Sequence, residues 1–95
     1  MKYYWIGWCK EGNHDKVWVM IHLESTGKFV SLWGRRSKKL QHKIYENLRW
    51  FEIDRLVNSK INKGYEKIDY DLLHNVYPEF EQDLQKSYIW AVLSA

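Results

Sequence analysis

Residues 16–33, KVWVMIHLESTGKFVSLW, decide the fold. Val17, Val19, Ile21 and Leu23 alternate with Trp18, Met20 and His22, the period of two that defines a strand. Both sets are largely apolar, so both faces of this strand are expected to be covered. Ser25, Thr26 and Gly27 supply turn chemistry. The run that follows sets Phe29, Ser31 and Trp33 against Val30 and Leu32, which makes a hairpin. On its N-terminal side, residues 2–9 (KYYWIGWC) form a further aromatic strand closed by the turn-like EGNHD of residues 11–15. On its C-terminal side, after Gly34, residues 40–45 place Leu40, His42 and Ile44 opposite Gln41, Lys43 and Tyr45. Four strands in sequence predict an antiparallel sheet.

At Asn47, a residue suited to an N-cap, the period becomes helical. Trp50, Ile53, Val57 and Ile61 recur at spacings of three and four with Leu56 beside them, and Phe51 falls off the stripe. Lys60 and Lys63 favour the negative end of that helix, and Gly64 caps it. Beyond Tyr77 and Pro78, acids at 79, 81 and 83 followed by Lys86 have the charge order of a second helix. Residues 88–93 (YIWAVL) are apolar all round and read as a buried helix end or a strand, the helix being the favoured reading. The expectation is one α+β domain spanning residues 1–95: an antiparallel sheet of about four strands with one or two helices on one face.

A chain of 95 residues has room for a single core. Sixteen Trp, Tyr and Phe residues exclude a disordered tail or linker. No apolar run approaches a membrane span, and the opening MKYYW lacks the apolar core and cleavage site of a secretory signal. The lone Cys9 cannot form an internal disulfide, in keeping with a reducing compartment. A cytoplasmic monomer with no membrane contact is expected.

Catalytic patterns are sparse. Cys9 lies among aromatics and reads as an inert buried thiol. The glycines, at 7, 12, 27, 34 and 64, form no phosphate-binding loop. His14, His22, His42 and His74 stand singly; only His22 and His42 could meet across strands, and a packed or surface pair is the simpler reading. The tail acids Asp69, Asp71, Glu79, Glu81 and Asp83 are spaced like a solvated face. No cofactor, metal site or enzymatic activity is expected.

Charge is unevenly divided. Residues 1–65 carry 13 Lys and Arg against 6 Asp and Glu, a net +7, and residues 66–95 carry 2 against 6, a net −4. Lys28, Arg35, Arg36, Lys38, Lys39 and Lys43 fall within residues 28–43, which hold no acid. Such a segment suits a polyanion, or it is a solvated hairpin whose lysines guard a sheet edge.

Three features stand in register: the strand pair of residues 16–33, the tripeptide Trp33-Gly34-Arg35, and Lys60 followed at 64 and 65 by Gly and Tyr. Together they resemble the WGR domain, over roughly residues 16–67. Residues 1–15 are then an extra N-terminal edge strand and residues 68–95 a helical extension. The chain departs from the family after the tripeptide, where Arg36, Ser37, Lys38 and Lys39 replace an aliphatic residue and glycines. The resemblance implies a non-catalytic DNA-binding module, as in poly(ADP-ribose) polymerases and lone bacterial WGR proteins, with DNA ends or nicks as targets. It implies contact by Trp33, Gly34, Arg35 and Lys60, to which Arg36, Lys38, Lys39 and Lys43 add phosphate contacts. Trp33 stacks at a terminus or is a core tryptophan, and Arg35 grips phosphate or is structural. The other function class is a protein-interaction or regulatory domain, in which the acidic tail docks on a partner or covers the Trp33 face.

Overall fold

The computed structural model describes residues 1–12, 15–35, 38–87 and 89–94. Five strands, β1 (Lys2–Cys9), β2 (Lys16–Leu23), β3 (Lys28–Arg35), β4 (Gln41–Tyr45) and β5 (Glu66–Lys67), form one antiparallel sheet in the order β4-β3-β2-β1-β5. The helices among the described residues are α1 (Trp50–Asn62), α2 (Tyr70–Val76), α3 (Phe80–Lys86) and α4 (Trp90–Leu93). The α+β architecture is as expected. Its radius of gyration is 12.8 Å, close to the about 12 Å of a single domain of this length.

Strands β2 and β3 pair without interruption from Lys16 opposite Arg35 to Leu23 opposite Lys28. The hairpin turn is closed by the Gly27 N–H, which donates to the Leu23 carbonyl at 2.8 Å. β1 pairs with β2 along its length and gains β5 at Gly7 and Trp8. It is therefore an edge only over its first half, not the simple edge strand the sequence predicts. A bulge between Tyr3 and Trp5 leaves Tyr4 without its own cross-strand partner.

The helices occupy both faces of the sheet, which corrects the one-face expectation. On one face Ile6, Val17, Val19, Ile21, Leu23, Val30 and Leu32 pack with Leu73, Tyr77, Phe80, Leu84, Ile89 and Leu93 of the α2–α4 segment. On the other, Trp5, Cys9, Trp18, Met20 and Phe29 pack with Ile53 of α1 and with Tyr65. This double cover is why β2 is apolar on both sides: Val17 to Ile21 are all at most 2% exposed.

Helix α1 starts later than Asn47 indicates. Asn47 has φ 57°, a left-handed turn conformation that asparagine tolerates. The N-cap is Arg49, whose backbone N–H donates to Glu52 Oε1 at 3.1 Å. Of the predicted stripe only Ile53 is fully buried; Leu56 and Val57 are half-buried, and Trp50 and Ile61 lie exposed. Helix α3 and the helical end at 90–93 fall where expected. Helix α2, capped by the Asp69 carboxylate accepting from Leu72 N–H at 2.8 Å, is additional.

Three tail acids are structural, not merely solvated. Besides Asp69 at its cap, Glu81 Oε1 accepts from Tyr3 of β1 at 3.0 Å and from Tyr70 of α2 at 2.5 Å. Asp83 accepts from the Tyr77 hydroxyl. Burial first, and the Glu81 charge second, push the Tyr3 phenol far above its ordinary value. The hydrogen bond to Glu81 is the main reason Tyr70 rises to about 12. A raised phenol pKa means that the folded chain holds these protons more tightly than the unfolded one. The associated stability is whole below about pH 10 and is lost as pH rises through the folded values. Urea midpoints should therefore fall between about pH 9 and about pH 11.5, and fall less in Tyr3→Phe. Equal losses in the two proteins would contradict the linkage.

Candidate functional site

Trp33 lies opposite Trp18 and Arg35 opposite Lys16. The alternation along β2 and β3 places all four on the α1 side of the sheet. Trp18 is 2% exposed and cannot receive a ligand, whereas Trp33 is half-buried against the same cluster. Arg35 is exposed where β3 ends, and Lys16 is half-buried where β2 begins. The Trp18 indole is held by Trp5, 5.7 Å away, and Lys60 Nζ lies over it at 5.5 Å from the ring centroid.

Lys60 owes its position to the end of α1. The Tyr65 N–H donates to the Lys60 carbonyl at 3.1 Å and the Gly64 N–H to the Ile61 carbonyl at 3.0 Å, a Schellman closure. Gly64 takes φ 99°, which a residue with a Cβ resists, and Tyr65 turns into the core at 8% exposure. The spacing from Lys60 to Gly64 and Tyr65 is thus explained by helix termination. It also sets Lys60 and Lys63 beside the strand ends. The Lys60 ammonium lies below the ordinary lysine value, chiefly through burial and then through repulsion from Lys63 and Lys16. A phosphate placed there would relieve that repulsion.

Gly34 has φ 154°, in a region used almost only by glycine. A Cβ there would lie 3.5 Å from the Lys39 carbonyl oxygen and 3.6 Å from Leu40 Cα. These are ordinary contact distances, so the backbone angle and not a close approach is what calls for glycine at this position. That angle allows residues 38–40 to fold back and bury Leu40 with the core on the α2–α4 side.

This turn divides the predicted site. Trp33, Arg35 and Lys60 lie on the α1 side, whereas Gly34, opposite Val17, faces Leu40 on the α2–α4 side. Lys43 is exposed on that same face, but its Nζ lies 4.9 Å from the Tyr45 ring, further along β4 from Trp33. Lys38 and Lys39 instead line a cavity of about 610 Å³ with Leu40, Glu79, Asp83, Lys86 and Ser87, against α3. Arg36 lies outside the described residues, as does His14. Lys16 and Lys63 were not among the sequence-predicted contacts. The cross-strand register is the signal that finds Lys16, and the helix end that carries Lys60 also carries Lys63.

The acidic tail does not cover Trp33, because α2–α4 pack on the opposite face of the sheet. His22 and His42 do not meet either. His22 stacks on Phe29 at 4.4 Å on the α1 side, and His42 pairs with Leu32, whose side chain enters the other core. Among the described residues no group of three or more His, Cys, Asp or Glu is placed to hold a metal ion, and no helix is long and apolar enough to cross a membrane. Cys9 is buried.

Comparison with protein-family models, with curated proteins and with solved structures finds no match to this chain.

Proposed function

We propose that this domain is a non-catalytic nucleic-acid-binding module, with DNA as its partner and a terminus or nick as its preferred target. The carrying observation is the aligned pair of cross-strand partners, Lys16 with Arg35 and Trp18 with Trp33, with Lys60 seated over Trp18. In this reading Lys16, Arg35, Lys60 and Lys63 meet the phosphate backbone, Arg35 through its two-pronged guanidinium. Trp33 offers its uncovered edge to an unstacked base or sugar, and Trp18 is the wall behind it. The WGR-like register of residues 16–67 agrees with this assignment. The two departures that bear on it are the rerouted Lys38–Lys39 segment and the structural use of Gly34.

Trp33→Ala removes the stacking surface, worth about 1–3 kcal/mol per base, and should weaken binding to a short linear duplex by roughly 5- to 150-fold. Binding to a closed circle of the same sequence should change far less. Fluorescence anisotropy on both substrates checks this. Equal affinity for the two, with or without Trp33, contradicts the preference for ends.

The protein-interaction reading is favoured by a different observation, the exposed aromatics at the start of α1. They lie away from the cationic cluster at its end.

A further inference from the structure

The sheet covers part of one edge and leaves the other open. At the β1 edge the short strand β5 pairs with Gly7 and Trp8. At the other edge β4 stands last in the strand order and pairs with β3 at every position from Gln41 to Tyr45. Of the usual protections of such an edge, proline, bulge or charge, it carries only the charge of Lys43.

The direction of its backbone groups follows from the ladder. The Ile68 N–H donates to the Ile6 carbonyl at 2.9 Å, so Ile6 turns its backbone away from β2. Its partner Val19 therefore turns towards β3, as does Leu23, whose carbonyl accepts from Gly27 across the turn. Carried through the uninterrupted registers, this alternation aims the backbone of Phe29, Ser31 and Trp33 at β4 and that of Gln41, Lys43 and Tyr45 back at β3. Ile44, between Lys43 and Tyr45, aims its N–H and C=O outward, and its side chain is 38% exposed.

A strand able to add at this edge is β4 of a second copy, and the residues select one register. Two copies would pair antiparallel about a two-fold axis that falls on one residue. Centred on Lys43, the pairing sets two ammoniums opposite each other. Centred on Tyr45, it sets Ile44 opposite Glu46; centred on His42, it sets Ile44 opposite Leu40, which is buried in its own core. Centred on Ile44, it joins the two exposed Ile44 side chains and sets each Lys43 across from the other copy's Tyr45, the kind of ring it already approaches within its own chain at 4.9 Å. Charge does not drive this contact, since Lys43 and Lys28 against Glu46 leave +1 on each copy. The pattern does, by joining apolar side chains and keeping the Lys43 ammoniums apart.

We propose that two copies of this chain join through β4, antiparallel and centred on Ile44, into one sheet with five strands from each. The contact is isologous and closes at the dimer. It is weak, because a strand of five residues spans only about 17 Å, too short to bury the about 800 Å² per partner of a stable interface. The chain is accordingly a monomer when dilute and a dimer when concentrated. This inference is independent of the nucleic-acid reading.

Sedimentation velocity of the intact chain over roughly 0.05–1 mM tests it. The weight-average sedimentation coefficient should rise with concentration and level off at the dimer, and rise no less at about 0.5 M salt than at about 0.05 M. Ile44→Lys and Ile44→Glu, which set like charges at the axis, should each weaken association by about tenfold or more. Mixed in equal amounts, the two variants should associate to within about threefold of the parent, because a register centred on this position brings the introduced ammonium of one against the introduced carboxylate of the other. Ile44→Pro removes an outward N–H and no bond to β3, so it should weaken association as much and leave far-UV circular dichroism unchanged. A coefficient independent of concentration, a rise that high salt removes, growth past the dimer, or a mixture no better than its components overturns the proposal. So does an extended peptide of another sequence that adds to β4 while the chain itself stays monomeric.

Discussion

A chain ending at Asp69 should not fold. The removed segment supplies Leu73, Tyr77, Phe80, Leu84, Ile89 and Leu93, each at most 4% exposed, to the core on one whole face of the sheet. Burial of side chains of this size is worth about 1.5–3 kcal/mol each, so their joint loss is comparable with the about 5–14 kcal/mol expected for the entire domain. Truncation would also uncover Val17, Val19, Ile21, Val30 and Leu32 to water. Thermal or urea unfolding followed by circular dichroism should show no cooperative transition in the shortened chain. Leu84→Ala in the full chain should remain folded and lose about 2–5 kcal/mol. A shortened chain that melts cooperatively and binds DNA more tightly would instead mean that the tail is a removable mask.

Replacing Lys16, Arg35, Lys60 and Lys63 together by Gln should nearly abolish nucleic-acid binding. Four phosphate contacts contribute about 3.6 decades of affinity per decade of salt. Between about 0.05 M and 1 M that sums to a loss of roughly 5 × 10⁴-fold at the lower salt. Stability should move the other way or not at all, because Lys60 is held against Lys63 and Lys16 and neutralisation relieves that repulsion. Opposite signs for the two measurements separate a binding role from a structural one. A variant that loses stability and keeps its affinity would assign these cations to the fold.

The sheet was legible because its signals are local. The two-residue period of 16–33, its Ser25–Gly27 turn and the alternation at 40–45 specify strands without reference to anything distant. Lys60, Gly64 and Tyr65 likewise announce a helix end whose hydrogen bonds the structure shows. The placement of helices on two faces was less legible. Alternating apolar residues on both sides of β2 signalled cover for both faces, but not which helix covers which. The exposure of Trp50 and Ile61 was hidden because periodicity records where apolar residues recur, not how wide a strip the sheet can cover. At the site, Trp33 and Arg35 were legible as an i, i+2 pair. Lys16 was not, because its relation to Arg35 is a cross-strand register that spans 19 positions. The parting of Lys38 and Lys39 from Arg35 was hidden as well, since it follows from the fold-back at Gly34, whose φ no sequence pattern displays.

The most direct measurement is the salt dependence of binding by the intact chain to a short linear duplex, read by anisotropy across about 0.05–0.2 M monovalent salt. With Lys16, Arg35, Lys60 and Lys63 on phosphates, the logarithm of the association constant should fall against the logarithm of salt with a slope of about −3.6, roughly a 150-fold loss over that range. Lys60→Gln should reduce the slope by about 0.9, and Lys28→Gln, at the far end of β3 in an ion pair with Glu46, should leave it unchanged. A flat response, or a slope that Lys28 alters and Lys60 does not, would contradict a nucleic-acid interface at this end of the sheet.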